Sequence, residues 1–269
     1  MTRYLEMNAK SLLTNPYLIF WSIFFIEFWV FMWAYVFGNG IPPIEEAVRA
    51  YTAMGYGNLL MLSLSGACIT IANSLLFSSR SVRFVTKYTK LSPSRFLLEN
   101  ILSSLIALLA VSGIMFISVF LVFSSKFGMF PLPTNVGGLI FSTFIGTFFI
   151  YAMSLFMNLV IVILRAPKSA SFISFLPLIL GFTAYMALWI DFGVASYILP
   201  FNCIVSVCYY FFAGQSPSTG NYFAPGEKTL VDINLALASL LAWAAMLIVL
   251  DIILLKKMRG IGVEEMRMA

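Results

Sequence analysis

Six stretches of this chain, residues 18–38, 57–77, 101–123, 138–164, 169–190 and 233–255, hold no base and at most one acid apiece. Each is about 20 residues long or more, enough to cross the ~30 Å hydrocarbon core of a bilayer as a helix. Such runs, with their backbone groups satisfied internally, belong in lipid. Of 269 residues, 61% are hydrophobic and 10% are charged, against about 25% charged in a soluble domain. The remainder is too short and too scattered to build a soluble catalytic domain. The expectation is one all-α membrane domain spanning residues 1–269.

A further apolar stretch, 197–213, is shorter and is interrupted by Pro200 and Asn202. It reads as a broken, re-entrant outer segment before the sixth span, because counting it as a crossing would move the C-terminus to the other side. The basic residues decide the matter. With both ends cytoplasmic, Arg3, Lys10, Arg80, Arg83, Lys87, Lys90, Arg95, Arg165, Lys168, Lys256, Lys257, Arg259 and Arg267 all lie inside. Only Arg49, Lys126 and Lys228, of 16 basic residues, lie outside. That bias fixes six spans with N and C termini in the cytoplasm, and the plasma membrane is the expected location. It also accounts for the net charge of +5 without a nucleic-acid partner.

With no histidine in the chain, His-ligated zinc or haem, a Ser-His-Asp triad and an imidazole relay are all excluded. Cys68, Cys203 and Cys208 form no CxxC pair. Cys203 and Cys208, five apart on one helix, are too distant for a disulfide, so the three read as small buried hydrophobes.

Residues 1–16 lack the pattern of a signal peptide. They read as an interfacial helix with mixed faces, separated from the first span by Pro16. Residues 78–98 carry five bases and no acid before Glu99. Within them Val82, Val85, Tyr88 and Leu91 recur at three-residue steps, which suits a helix with one apolar stripe. Ser92 before Pro93 has the form of an N-cap followed by proline in the first turn. A helix, a tight turn and the start of the third span are therefore expected, or else a solvated basic loop on anionic headgroups.

Inside the spans, Glu27 lies about 13 Å into the first, close to the midplane. A carboxyl there indicates either a functional site or a structural hydrogen bond to a neighbouring Ser, Tyr or Asn. Asp251 is expected to pair near the Lys256-Lys257 boundary, and Asn158, Asn73 and Glu99 to have local partners. Small residues at four-residue spacing, Gly138-Ser142-Gly146, Ser103-Ala107 and Ala238-Ala242, read as packing seams.

An interfacial helix, six spans, a helical elbow between the second and third, and a broken helix before the sixth resemble an ABC-2 type transporter permease, the membrane subunit of type V ABC exporters. Leu91-Ser92-Pro93 resembles the family's elbow, Tyr51-Thr52-Ala53-Met54-Gly55 its entry into the second span, and Pro200-Phe201-Asn202 its broken outer helices. The resemblance implies a permease with no catalytic residues. It would export a hydrophobic or amphipathic cargo, such as a lipid, glycolipid, peptide or drug. Its partners would be a separate ABC ATP-binding subunit, a second copy of the chain or a related permease, and membrane lipid. ATP and Mg would sit on the ATP-binding subunit, consistent with the lack of a G-x-x-x-x-G-K-[ST] run here. By the same resemblance the coupling segment, Arg80, Val82, Arg83, Val85, Lys87, Tyr88 and Lys90, would dock the ATPase, and Glu27, Ser63 and Tyr185 would lie near the cargo path. Two other classes remain open. A secondary transporter would want inverted repeats with matching broken helices, and only one break is visible. An intramembrane lipid-modifying enzyme or protease would want a polar constellation at depth, where Glu27 stands nearly alone.

Overall fold

The computed structural model describes the backbone of residues 2–88, 93–164, 170–222 and 228–257, and the side chains of 4–74, 98–164, 172–222 and 228–254. Among the described residues the regular elements are helices, with two isolated β-bridges, Asp191 with Gly220 and Ser218 with Leu230. Five helical stretches are long and apolar enough to cross a membrane: Pro16–Gly40, Glu45–Ser74, Leu98–Phe127, Val136–Ile163 and Ile233–Leu254. The architecture is that of an all-α, multi-pass membrane protein.

Helix α1 (Thr2–Leu13) lies along the start of α5 (Pro93–Phe127), where Asn8 Nδ2 donates to Ser103 Oγ at 2.5 Å. Burial raises the pKa of the Tyr4 hydroxyl of α1, against the lowering effect of its hydrogen bond with Asn100. The first span is continuous but irregular. It comprises α2 (Pro16–Ile19), a π turn at Phe20–Phe24, α3 (Phe25–Phe31), a second π turn at Met32–Val36 and a 3-10 turn at Phe37–Gly40. Asn15 caps its start by accepting from the Tyr17 N–H, and Pro16 takes the first helical position.

Helix α4 (Glu45–Tyr88) is the axis of the bundle. Its membrane-crossing window is entirely buried, enclosed by the first span, α5, α6 (Val136–Ile163), α7 (Ala170–Met186) and α9 (Pro200–Ala213). Small residues make this enclosure possible, because helices in lipid approach closely only where side chains are short. Gly57 abuts Val205, Gly66 abuts the Trp21 carbonyl and Ser65 abuts Gly181. The helix expected over 82–91 is no separate element. α4 runs unbroken to Tyr88, since neither Gly nor Pro interrupts residues 67–88. Pro93 opens α5, while Ser92 and Lys90 lie outside the described residues, as do the side chains of Arg80, Val82, Arg83, Val85, Lys87 and Tyr88.

The stretch expected as a fifth span contains α7, a helix of 17 residues with Pro177 inside it, which leaves the Ile173 carbonyl without its usual donor. α7 runs antiparallel to α4, with Ser174 bonded to Asn73 at one level and Gly181 against Ser65 at another. The chain then turns inward as α8 (Ala195–Ile198), breaks at Leu199 in an extended conformation, and leaves again as α9. Phe201 meets Phe149, and the Ile198 carbonyl accepts from Trp243 Nε1 of α10 (Ile233–Lys257). α9 ends where Gly214, at φ +79°, supplies the left-handed C-cap. There Thr134 and Asn135, just before α6, donate their backbone N–H groups to Phe212 and Phe211. The α8–α9 hairpin thus enters and leaves at one end of the bundle, the end where α5 joins α6. With 14 residues, or ~21 Å, α9 is too short to cross a bilayer.

Of the small-residue stripes, Gly138, Ser142 and Gly146 carry α9: they face Phe211, Cys208 and Ile204 in turn. Ala238 and Ala242 differ from expectation. They are exposed, and α10 instead buries Ala236, Leu240, Ala244, Leu247 and Asp251. Spacing alone could not say which way that helix is rotated. The three cysteines are free and buried.

Candidate functional site

The first π turn arises where the Phe25 N–H reaches five residues back to the Phe20 carbonyl. Such turns are rare and favour functional positions. This one is docked on α4: Ser63 Oγ donates to the Ser22 carbonyl at 2.5 Å, and a Cβ on Gly66 would stand 3.1 Å from the Trp21 oxygen. Just beyond it, on α3, Glu27 is half-buried, and Ser118 Oγ of α5 donates to its Oε2. The carboxyl therefore has the hydroxyl partner that a group at membrane depth requires.

Tyr185 of α7 stands on another face of the same span. Its ring centroid lies 6.4 Å from that of Trp29 and 6.2 Å from that of Trp33. Trp33 is fully buried and continues the cluster to Tyr51, whose hydroxyl donates to the Trp33 carbonyl at 2.7 Å. Glu27, Ser63 and Tyr185 thus all border the first span, but on different faces. Ser63 is fully buried with its hydroxyl committed to Ser22. Glu27 turns to α5 and Tyr185 to the tryptophans, and the three do not converge on one cavity.

Two polar features lie elsewhere. Beneath the α8–α9 hairpin a space of about 10 Å³ is bordered by Asn58, Asn202, Ser206 and Thr219. Asn58 Oδ1 and both amide atoms of Asn202 have no hydrogen-bond partner among the described residues, and the space matches a single water. At the other end, α5, α6 and α10 enclose a cavity of about 240 Å³ with Tyr151 and Asp251 in its wall. Asp251 faces inward to this cavity, and its Oδ1 has no hydrogen-bond partner among the described residues. Asn158 takes the local role expected of it, donating to the Ala72 carbonyl at 3.1 Å. Sequence reasoning did not find Ser118 or Tyr151, which become partners only through long-range packing.

No group of three or more His, Cys, Asp or Glu side chains that could hold a metal occurs among the described residues. No family model, curated protein or solved structure matches the chain.

Proposed function

We propose that this chain is the membrane-spanning permease of an ATP-driven exporter of the ABC-2 type, moving a hydrophobic or amphipathic cargo outward. The observation that carries the reading is the α8–α9 hairpin, which dips into the bundle and returns immediately before the last helix. Two features support it: α1 packed along α5, and α4 prolonged as one helix to Tyr88. Force applied to the far end of a continuous helix reaches the middle of the bundle without a joint, which suits coupling to a soluble motor. In this reading a separate ATP-binding subunit, carrying ATP and Mg, docks on residues 78–98. A second permease copy or a relative completes the transporter in the plasma membrane, with both termini cytoplasmic. Glu27 and Tyr185, at the half-buried margin of the first span, then border the cargo path.

The test is purification of the tagged chain from its native membrane in mild detergent. An ATP-binding protein with a phosphate-binding loop should accompany it in near-equal amount. The double variant Val85→Asp, Tyr88→Asp should lose that protein while remaining monodisperse. Absence of any such protein from the wild-type preparation, with cross-linking before extraction, would refute the reading.

A further inference from the structure

The cavity between α5, α6 and α10 has a composition that points to a particular occupant. Among the described residues its wall is hydrocarbon and aromatic, from Ile101, Phe148, Leu155 and Ile248, except for Asp251 and Tyr151. Each of those two is only 3% exposed. Among the described residues, Asp251 Oδ1 and the Tyr151 hydroxyl both lack a hydrogen-bond partner, and Asp251 makes no ion pair. Buried polar groups are nearly always satisfied, and an unpaired acid in an apolar setting is among the most costly to leave so. Two such groups on one cavity wall therefore call for an occupant that donates hydrogen bonds. At about 240 Å³ the space is far larger than one water's ~30 Å³, and its apolar lining does not favour a water cluster. Ile252 of α10, also in its wall, is exposed.

We infer that this cavity binds the protonated amine of an amphiphile, with the ammonium between Asp251 and Tyr151 and the hydrocarbon body along the apolar wall. An ammonium donates to both the carboxylate and the phenolic oxygen. The rings of Phe148 and Tyr151 add a surface attractive to a cation. A carboxylate-bearing amphiphile offers no donor to either group, and an alcohol offers one hydrogen bond but no opposite charge. The site stands apart from Glu27 and does not depend on the exporter reading, since it requires no ATPase.

The test uses the purified full-length chain in neutral maltoside detergent at pH 7, following thermal unfolding by tryptophan fluorescence. The probes are octylammonium, 1-octanol and octanoate. Octylammonium should raise the melting temperature saturably, and octanol should do so only at higher concentration. Asp251→Asn should weaken the octylammonium response about tenfold, the worth of one charge-assisted hydrogen bond. Tyr151→Phe, which keeps the ring, should weaken it less. Nanodiscs of phosphatidylethanolamine and of phosphatidylcholine separate the sources. Protection by the ethanolamine lipid alone, lost in Asp251→Asn, assigns the amine to a lipid headgroup. Equal octylammonium protection in both discs assigns it to a free amine. Equal responses to octylammonium and octanol, or an unchanged amine preference in both variants, would overturn the inference.

Discussion

Asp191 shows how a single side chain can set a local pH dependence. It follows α7 and accepts from Thr219 Oγ1 at 2.6 Å and from the Gly193 N–H at 2.8 Å. The Thr219 hydrogen bond, then that of Gly193, holds its carboxyl below the ordinary 3.8. A carboxylate with a depressed folded pKa contributes stability above its unfolded pKa and loses it as pH falls through the folded one. Melting temperature should therefore drop between about pH 5 and pH 3, and the drop should be shallower in Asp191→Asn. The effect is small because the group is exposed. At this scale the sequence was partly readable. Glu27 could be singled out because a lone acid at membrane depth is costly. Its partner Ser118 lies 91 residues away, and no local pattern distinguishes that serine from others in α5. Asp251 was equally conspicuous, but its rotation into the bundle was hidden, and the side chains of its expected partners, Lys256 and Lys257, lie outside the described residues.

At the level of elements, the contact between α6 and α9 depends on the missing side chain at Gly138. A Cβ there would lie 2.1 Å from Phe211 Cδ1 and 2.6 Å from its Cγ. Since Cγ is the root of the ring, rotation about the outer bond does not clear the overlap. Gly138→Ala should destabilise the chain by about 1–3 kcal/mol, read as a lower melting temperature in detergent. Adding Phe211→Ala should recover part of the loss, which a general effect on α6 would not allow. The Gly138-Ser142-Gly146 spacing was legible because small residues at helical intervals have one main use in lipid. The π turns of the first span were not, since residues 20–36 contain neither Gly nor Pro. The first follows instead from the docking of Ser22 and Trp21 on Ser63 and Gly66 of α4. Pro200 did mark the break between α8 and α9, because proline cannot accept a preceding helical turn without strain.

For the whole molecule the sidedness of the ends is the central expectation. α1 packs on the start of α5 at one end, while Lys126 donates to Asn39 at the other. All three native cysteines are buried, so single introduced cysteines can be read without background. A membrane-impermeant maleimide applied to intact cells should label Lys126→Cys, Gln215→Cys and Lys228→Cys and should spare Lys10→Cys until the membrane is opened. Labelling of Lys10→Cys and Gln215→Cys from the same side would contradict the proposed six-pass path.

The complete burial of α4's membrane-crossing window bears on how the protein is made. Among the five long apolar helices its crossing window is the least apolar, and it carries Asn58, Ser63, Ser65 and Thr70. Yet it emerges from the ribosome second, and Val205 of α9, which seals Gly57, comes almost 150 residues later. During synthesis, therefore, the most polar crossing has to wait in the insertion machinery or in lipid for walls that do not yet exist. A nascent chain halted before Pro200 leaves one side of its axis open.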